Sequence, residues 1–185
     1  LGGEVLFEHK LVDLNIKDNK ISSVTIEHDN KKIKIETDDC ILAIGHSARD
    51  TFKMLFERNV FMQPKPFSMG VRIEHLQSEV NKSQYGKEYK NKKLPVADYK
   101  LAVHLPNGRT LYSFCMCPGG VVVGSNTIKD SIVTNGMSFF KRDLENANSA
   151  LLVNVNIEDY YKSSPLDGMY YQEKYEKLAF NKKYP

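Results

Sequence analysis

The strongest chemical signal in the chain is a short apolar run that ends at a glycine. Residues 40–44 read Cys-Ile-Leu-Ala-Ile, Gly45 and His46 follow, and a helix-like pattern then runs from Ser47 to about Arg58. This pattern predicts a strand covered on both faces, followed by a helix with Ser47 as its N-cap. Such a junction places backbone N–H groups at the edge of a sheet, where α/β proteins bind phosphates and other polar ligands. Many similar junctions bind nothing.

A second signal is the pair Cys115 and Cys117, separated by one residue. In a regular strand residues i and i+2 share a face, so both thiols would lie on one side. They would serve either as a strained, easily reduced disulfide or as small apolar residues packed under a sheet. The turn-forming Pro118-Gly119-Gly120 follows, and its glycines permit close approach of the backbone to another group. An odd count of three cysteines does not suit a disulfide framework and favours a reducing, cytoplasmic setting.

Arginine is scarce in this chain, which makes each arginine informative. Arg49 and Arg72 are candidates for planar contacts to an acidic substrate, with an ordinary ion pair as the alternative for each. His46 lies at the predicted strand–helix junction, where it would reach a cofactor or substrate, or else remain a structural or solvent-facing histidine. His75 and His104 lack the spacing of metal ligands, so the sequence predicts no metal site.

Short strands are the main elements predicted to position these residues. Residues 11–16, 21–28 and 32–37 alternate between turns, which predicts a β-meander with one buried face. Residues 67–75 predict another strand after a proline break, and the polar, lysine-rich residues 77–100 predict a loop. The remaining predicted elements are strands at 4–8, 99–105, 109–117, 121–124 and 151–156, turns at 135–136 and 146–148, and a polar helix near the C-terminal end.

Composition excludes several classes of protein. The chain has 185 residues, a formal net charge of +3 and 41% hydrophobic residues, which does not suit collagen-like, coiled-coil or disordered chains. No apolar run approaches the roughly 18 residues of a membrane span, and the charge is too mild to favour nucleic acid. The opening residues Leu1–Glu4 contain no initiator methionine and no charged-then-apolar leader. The sequence therefore predicts no secretory signal and a piece of a longer chain.

Several short blocks, in the same order along the chain, together resemble one family. They are Gly2–Val5, Gly45–Asp50, Pro66–His75, Tyr112–Gly120, Thr134–Ser138 and Asn146–Val153. That family is the uncharacterised bacterial FAD-dependent dehydrogenases, two-domain flavoproteins with a geranylgeranyl-reductase-like architecture. The resemblance extends to about Asp159. The chain lacks the Gly-x-Gly-x-x-Gly fingerprint that binds the pyrophosphate, so it resembles the central fragment of such a protein.

The resemblance implies a fold class of α+β or α/β. Residues 1–60 would form part of a Rossmann-like FAD-binding domain, residues 61–160 a β-rich substrate domain and residues 161–185 a C-terminal helical segment. It implies FAD in the full-length protein and an oxidoreductase (dehydrogenase) activity on an unknown small-molecule substrate, with NAD(P)H as the candidate electron donor. The fragment alone is expected to be inactive.

Site residues follow from the same resemblance. The implied cofactor-binding residues are Leu11, Ala43, Ile44, Gly45, His46, Pro118, Gly119 and Gly120. The candidate substrate contacts are Arg49, Arg72, Cys115 and Cys117, and no catalytic acid or base stands out. One alternative is a non-catalytic module that uses the same cleft for RNA or a protein partner, supported by the lysines of residues 82–100. A third hypothesis makes the pair of thiols itself the redox agent.

Overall fold

The computed structural model describes residues 2–125 and 128–182. Within these ranges the fold is mixed α+β, built from antiparallel sheets with few helices. The strands are β1 (Lys10–Lys17), β2 (Lys20–His28), β3 (Lys31–Glu36), β4 (Phe67–Leu76), β5 (Ala102–His104), β6 (Thr110–Cys117), β7 (Gly120–Ser125), β8 (Val133–Ser138) and β9 (Asn146–Val155). The helices are α1 (Arg49–Glu57), α2 (Gln77–Tyr85), α3 (Ile157–Tyr160) and α4 (Asp167–Asn181), with a short 3-10 turn at Gly86–Glu88.

The predicted β-meander is confirmed, with β1, β2 and β3 paired antiparallel in that order. Asp-Asn pairs at 18–19 and 29–30 adopt positive φ at both turns, the conformation that tight hairpins require. Leu14 of β1 is buried where α1 packs on the meander. The face of β3 stays open, since Ile33 and Ile35 are both exposed. The expectation of one buried face therefore holds for β1 and not for β3.

The predicted strand at residues 40–44 is wrong for the described structure. These residues belong to no strand, and Ile41 is 94% exposed. An apolar sequence becomes a strand only where a neighbour supplies backbone partners, and no described strand pairs with this segment. The sheet-strand part of the expected Rossmann-like domain is therefore absent here, as is the predicted strand at 4–8. Helix α1 begins at Arg49, with Ala48 rather than Ser47 as its N-cap.

A four-stranded sheet in the order β4-β9-β6-β5 forms the centre of the second half. Strands β4 and β9 pair over ten residues, from Phe67 opposite Val155 to Leu76 opposite Asn146. The predicted strands around 67–75 and the β5–β6 hairpin are confirmed. The turns predicted at 135–136 and 146–148 are wrong, because both lie inside strands. Pairing with neighbouring strands overrides the turn preference of asparagine there.

Helix α2 occupies the start of the segment that the sequence predicts to be a loop. Its first residue, Gln77, is buried, and the Gln77 side-chain Nε2 donates to the Ala97 carbonyl at 2.9 Å. Asn81 accepts a hydrogen bond from the Ala97 N–H at 3.0 Å. Two polar side chains thus tie the helix to the segment that follows it. Among the helices of the described residues, none has the length and apolar character to cross a membrane.

Candidate functional site

A cleft of about 540 Å³ lies between β4, β8 and α4, on one face of the four-stranded sheet. Two residues singled out from the sequence, His46 and Arg72, contribute to its lining. Thr134 of β8 and Gln172 and Glu176 of α4 add further polar groups. The apolar lining includes Met69, Ile132, Val133 and Leu152. This mixture of apolar surface and a few converging polar groups is typical of small-molecule sites.

Arg72 is held at the cleft by partners that carry no charge. Strand β4 places it opposite Ala150 of β9, and its Nη1 donates to Asn148 Oδ1 at 2.7 Å and to the Cys115 carbonyl at 3.1 Å. Asn148 is completely buried. Arg72 Nε and Asn148 Nδ2 are also buried, and neither has a hydrogen-bond partner among the residues that the structure describes. The guanidinium is therefore fixed in orientation while part of its donor capacity stays unused.

A β-bulge turns the Cys115 carbonyl toward Arg72. Phe114 pairs with Ala150 and Cys117 pairs with Asn148, so two residues of β6 stand opposite the single residue between their partners on β9. Cys115 lies in this bulge with φ of +49°. A left-handed conformation at a non-glycine residue costs on the order of 1–3 kcal/mol, and such strain is often found at functional sites.

The two thiols differ in accessibility. Cys115 is exposed and Cys117 is buried, and both are free cysteines. The Cys117 Sγ donates to the Cys115 carbonyl at 3.3 Å. Burial raises the pKa of the Cys117 thiol above its ordinary value, the neighbouring Cys115 thiol raises it further, and the Arg72 guanidinium lowers it in part. Cys117 is thus a neutral thiol beside a cation, whereas Cys115 is the thiol that solvent reaches.

Gly136 of β8 covers this group of polar side chains. A Cβ there would overlap Arg72 Nη1 and Asn148 Oδ1 and would come within 2.7 Å of Cys117 Sγ. The absence of a side chain at this position is what lets β8 lie over the guanidinium. Arg72, Cys115, Cys117, Gly136 and Asn148 are called the Arg72 cluster below.

The turn at Pro118-Gly119-Gly120 is buried by the chain itself. The Gly119 N–H donates to Gln77 Oε1 at 2.8 Å, and a Cβ on Gly119 would overlap the Arg142 carbonyl. A Cβ on Gly120 would likewise overlap the Met137 carbonyl. Packing within the chain is therefore sufficient reason for both glycines, and contact between this turn and a flavin stays a prediction.

Arg49 forms an ion pair, which was the alternative to a substrate contact in the sequence analysis. The Arg49 Nη2 donates to both carboxylate oxygens of Glu176, each at 2.8 Å, and its side chain is only 8% exposed. Glu173 lies farther from the guanidinium, at 3.9 Å. This bond joins the first turn of α1 to α4, so Arg49 is a structural link whose charge Glu176 already balances.

The structure brings some predicted site residues together and leaves others apart. His46 and Arg72 line the same cleft, and Cys115 and Cys117 adjoin Arg72. Ala43 and Gly45 lie in the exposed segment that leads to His46, with Ile44 partly covered between them. Leu11 is half-buried in β1 and belongs to the meander.

Sequence reasoning missed the residues that hold Arg72 and shape the cleft. Asn148 and Gly136 were assigned to turns, and Gln77, Gln172 and Glu176 were not singled out at all. A usable signal for Asn148 was its position in the run Asn-Ala-Asn-Ser-Ala-Leu-Leu-Val, where polar residues precede an apolar strand without a glycine or proline between them. No comparable signal marks Glu176, because its partner is remote in sequence.

Comparison with known proteins gives the chain its family. A family model described as "FAD-dependent protein, C-terminal domain-like" matches residues 66–184. A protein of Clostridium beijerinckii, described as uncharacterised, is 50% identical to this chain over 181 residues. The alignment covers 97% of this chain and 33% of that relative, so the chain spans about a third of the relative's length. By the extent of the family match, which includes the cleft strands and α4, the chain belongs to the family of FAD-dependent proteins that share this C-terminal domain-like region.

Proposed function

We propose that this chain is part of an FAD-dependent oxidoreductase, a dehydrogenase in which the cleft at Arg72 holds a small-molecule substrate. The observation that supports this most directly is the continuity between an unpaired apolar segment and the cleft. Residues 40–45 make no hydrogen bond within the described structure, and His46, the next residue, lines the cleft. The family to which the chain belongs is named for its dependence on FAD.

Residues 40–45 are largely exposed to solvent, although their apolar side chains and unpaired backbone groups suit a buried, hydrogen-bonded segment. Buried backbone groups of a folded protein are almost always hydrogen-bonded, and apolar side chains are covered, whereas Ile41 here is 94% exposed. Gly45 adopts φ of +67° with no atom within 4 Å of the position of a Cβ. A groove of about 840 Å³ beside Leu42 and Leu55 is open in the same region. The remainder of a longer protein would cover these surfaces.

These features fit a flavin at the segment 43–46 rather than at the turn 118–120. Ala43 and Gly45 present exposed backbone with little or no side chain, which allows close approach of a dinucleotide. The amide of Gly119, by contrast, is already donated to Gln77. In this proposal residues 1–60 complete an FAD-binding, Rossmann-like domain with the rest of the protein. Residues 61–160 supply the substrate domain, and α4 of the C-terminal helical segment covers it.

FAD, when bound, would supply the hydride chemistry, and NAD(P)H is the candidate electron donor. The chain's own residues would bind and orient the substrate. Arg72 would hold a polar or anionic end, since its guanidinium is fixed by Asn148 and the Cys115 carbonyl. His46 would lie between the cofactor segment and the cleft. Helix α4 and β8 would limit the access of water to the reacting atoms.

Absorption spectroscopy of a full-length protein containing this chain tests the proposal. We expect flavin bands in the full-length protein, with bleaching on anaerobic addition of NADH or NADPH. Gly45→Leu should lose the flavin, because a branched side chain would fill the open backbone position. Gly108→Leu is the matched control: Gly108 also has positive φ, and it too has nothing within 4 Å of a Cβ, but it lies in the β5–β6 turn.

A colourless full-length protein that takes up no added FAD would contradict the proposal. The cleft would then be a binding site without flavin chemistry, as in the alternative of a non-catalytic module. Retention of flavin by Gly45→Leu would contradict the placement of the cofactor while leaving the family's FAD dependence intact.

A further inference from the structure

The charge balance of the arginines separates Arg72 from the others. Within the described ranges three arginines have a carboxylate partner: Arg49 with Glu176, Arg58 with Asp13 and Arg109 with Asp159. Arg142 is exposed to solvent. Arg72 is only partly exposed, and the hydrogen bonds that hold it come from an amide and a backbone carbonyl. A partly buried guanidinium without an acid partner is unusual, since buried charges are normally paired.

The acidic residues around the cleft do not balance this charge. Glu176 lines the cleft but is bound through both oxygens to Arg49. Glu173 pairs with Lys177. Glu74 lies two residues beyond Arg72 on β4 and is exposed, and none of the ion pairs among the described residues joins it to Arg72. The cleft therefore carries one fixed positive charge that the described residues leave uncompensated.

The uncompensated charge of Arg72 indicates which chemical group would bind there. The Arg72 Nε–H is buried and has no hydrogen-bond partner in the described part of the chain, as is also true of Nε and Nη1 of Arg49. Arg72 differs in that its Nη1 is engaged only with the uncharged Asn148 amide and Cys115 carbonyl, so no carboxylate of the described residues balances its charge. An ionised carboxylate is an acceptor-only group whose two oxygens match the guanidinium fork. One uncompensated cation suits one negative charge better than the two of a phosphate monoester. The balance of charge favours a monocarboxylate over a phosphate.

The lining of the rest of the cleft indicates the chemical character of the remainder of the ligand. Beyond Arg72 the lining turns apolar at Met69, Ile132, Val133 and Leu152. The volume of about 540 Å³ lies within the usual range for small-molecule sites. We propose that this cleft binds an amphipathic monocarboxylate, with its carboxylate on Arg72 and its apolar body along β8 and β9. Binding needs no flavin; only the further step, that this ligand is the oxidoreductase substrate, rests on the proposed function.

Calorimetric titration of the unmodified chain with three eight-carbon probes tests the proposal. Octanoate carries the carboxylate, 1-octanol has the same tail without charge, and octylamine has the opposite charge. A charge-assisted hydrogen bond in a partly buried site predicts that octanoate binds roughly tenfold or more tightly than 1-octanol. Octylamine should bind most weakly. Equal affinities for octanoate and 1-octanol, or no binding of octanoate, would overturn the proposal. Tighter binding of octyl phosphate than of octanoate would overturn the choice of carboxylate.

Two arginine variants test whether Arg72 is the residue that binds the carboxylate. Arg72→Gln should reduce octanoate affinity roughly tenfold or more and should remove the preference over 1-octanol. Arg142→Gln makes the same change in net charge at an exposed position and should leave both affinities unchanged. A folded Arg72→Gln chain that binds octanoate as tightly as the unmodified chain would overturn the assignment. If Arg72→Gln fails to fold, the three-probe comparison on the unmodified chain still decides.

The same measurements separate this inference from the proposed function. Octanoate binding to the chain together with a colourless full-length protein would leave the carboxylate site standing and refute the oxidoreductase. Flavin bands in the full-length protein, without any preference of the chain for octanoate over 1-octanol, would support the oxidoreductase and refute the carboxylate site.

Discussion

Two arginines that the sequence marks for the same reason end in opposite environments. Arg49, at the first turn of α1, is 7% exposed and is bound at 2.8 Å through both oxygens of Glu176. Arg72, within β4, is held by the Asn148 side chain and a carbonyl from a β-bulge. Both guanidinium groups keep buried donors without a hydrogen-bond partner among the described residues, Nε and Nη1 of Arg49 and Nε of Arg72, so the difference between them lies in the carboxylate. The first joins two helices. The second faces a cleft with its charge uncompensated.

This difference teaches that the partner, more than the residue type, decides what an arginine inside the fold does. Glu176 lies 127 residues from Arg49 along the chain, so the ion pair exists only once α4 has docked. Arg72 and Asn148 lie near each other because β4 and β9 pair over ten residues. Arg49 therefore contributes to assembly of the fold, whereas Arg72 is positioned by the fold and left available to a ligand.

The largest expected effect is the loss of stability on removing the ion pair between Arg49 and Glu176. Arg49→Ala would leave the Glu176 carboxylate without its bidentate partner beside α1. Loss of one member of a buried pair typically costs about 3–5 kcal/mol, because the remaining charge stays uncompensated. We expect a reduction of that order in the free energy of unfolding, measured by urea denaturation of the chain.

The exposed pair of Arg58 with Asp13 is the matched control for that prediction. Its side chains are 50% and 26% exposed, so water solvates both charges when one partner is removed. Arg58→Ala should lower stability far less than Arg49→Ala. Equal losses for the two variants would show that burial of the Arg49 pair is not what makes it matter.

The next effect concerns the strand that covers the Arg72 cluster. In Gly136→Ala the added methyl would overlap Arg72 Nη1 and Asn148 Oδ1. Overpacking of this kind costs roughly 1–3 kcal/mol, and we also expect weaker octanoate binding because the guanidinium must shift. Unfolding curves and calorimetric titration check the two expectations on the same variant.

Gly124 of the neighbouring strand β7 provides the control for Gly136. A Cβ there would meet only Ile132 Cδ1, at the ordinary distance of 3.5 Å. Gly124→Ala should therefore be close to neutral for stability and for octanoate binding. A loss at Gly124 equal to that at Gly136 would indicate a general intolerance of the β7–β8 sheet rather than a specific fit over Arg72.

The cysteine pair gives a smaller, kinetic effect within the same cluster. Because burial raises the pKa of the Cys117 thiol and the thiolate is the reactive form, exposed Cys115 should be alkylated several-fold faster than Cys117. Mass spectrometry after brief treatment with iodoacetamide at about pH 8 measures both rates. Faster modification of Cys117 would contradict the structure's assignment of the accessible thiol.

Unchanged turnover of a full-length protein with serine at both positions, 115 and 117, would remove the hypothesis that this pair of thiols is the redox agent.

Local sequence signals predicted much of the second half of the molecule. The β5–β6 hairpin has a Pro-Asn-Gly turn, and Gly108 there adopts positive φ. The alternation of residues 67–75 marks β4 correctly. The failures have one physical cause, which is partners remote in sequence. Residues 40–44 are apolar enough for a strand, but no strand of the described ranges pairs with them. Residues 146–148 look like a turn and are fixed as a strand by neighbours on both sides.

The same distinction between local signals and remote partners applies to the candidate site. Arg72, His46 and the cysteines could be selected from residue type and position, because guanidinium, imidazole and thiol groups carry chemistry wherever they lie. Their geometry could not be predicted. The bulge at Cys115 and the bare backbone at Gly136 depend on the register of β6 against β9 and on the packing of β8 over both. A single sequence contains no direct trace of either.

The smallest expected effect is a pH dependence in the Arg49 region. Lys177 donates a hydrogen bond to the Glu173 carboxylate, which lowers the pKa of Glu173 below its usual value near 4.5. A carboxyl group whose pKa is lowered by folding stabilises the protein above its unfolded pKa, and this contribution is lost as the pH falls through the folded pKa. Helical pairs of this spacing contribute about 0.3–0.5 kcal/mol. Glu173→Gln should therefore be slightly less stable than the unmodified chain at about pH 7, and the difference should shrink below about pH 4. A difference that stays constant across this range in urea denaturation would mean that Glu173 acts through packing and not through its charge.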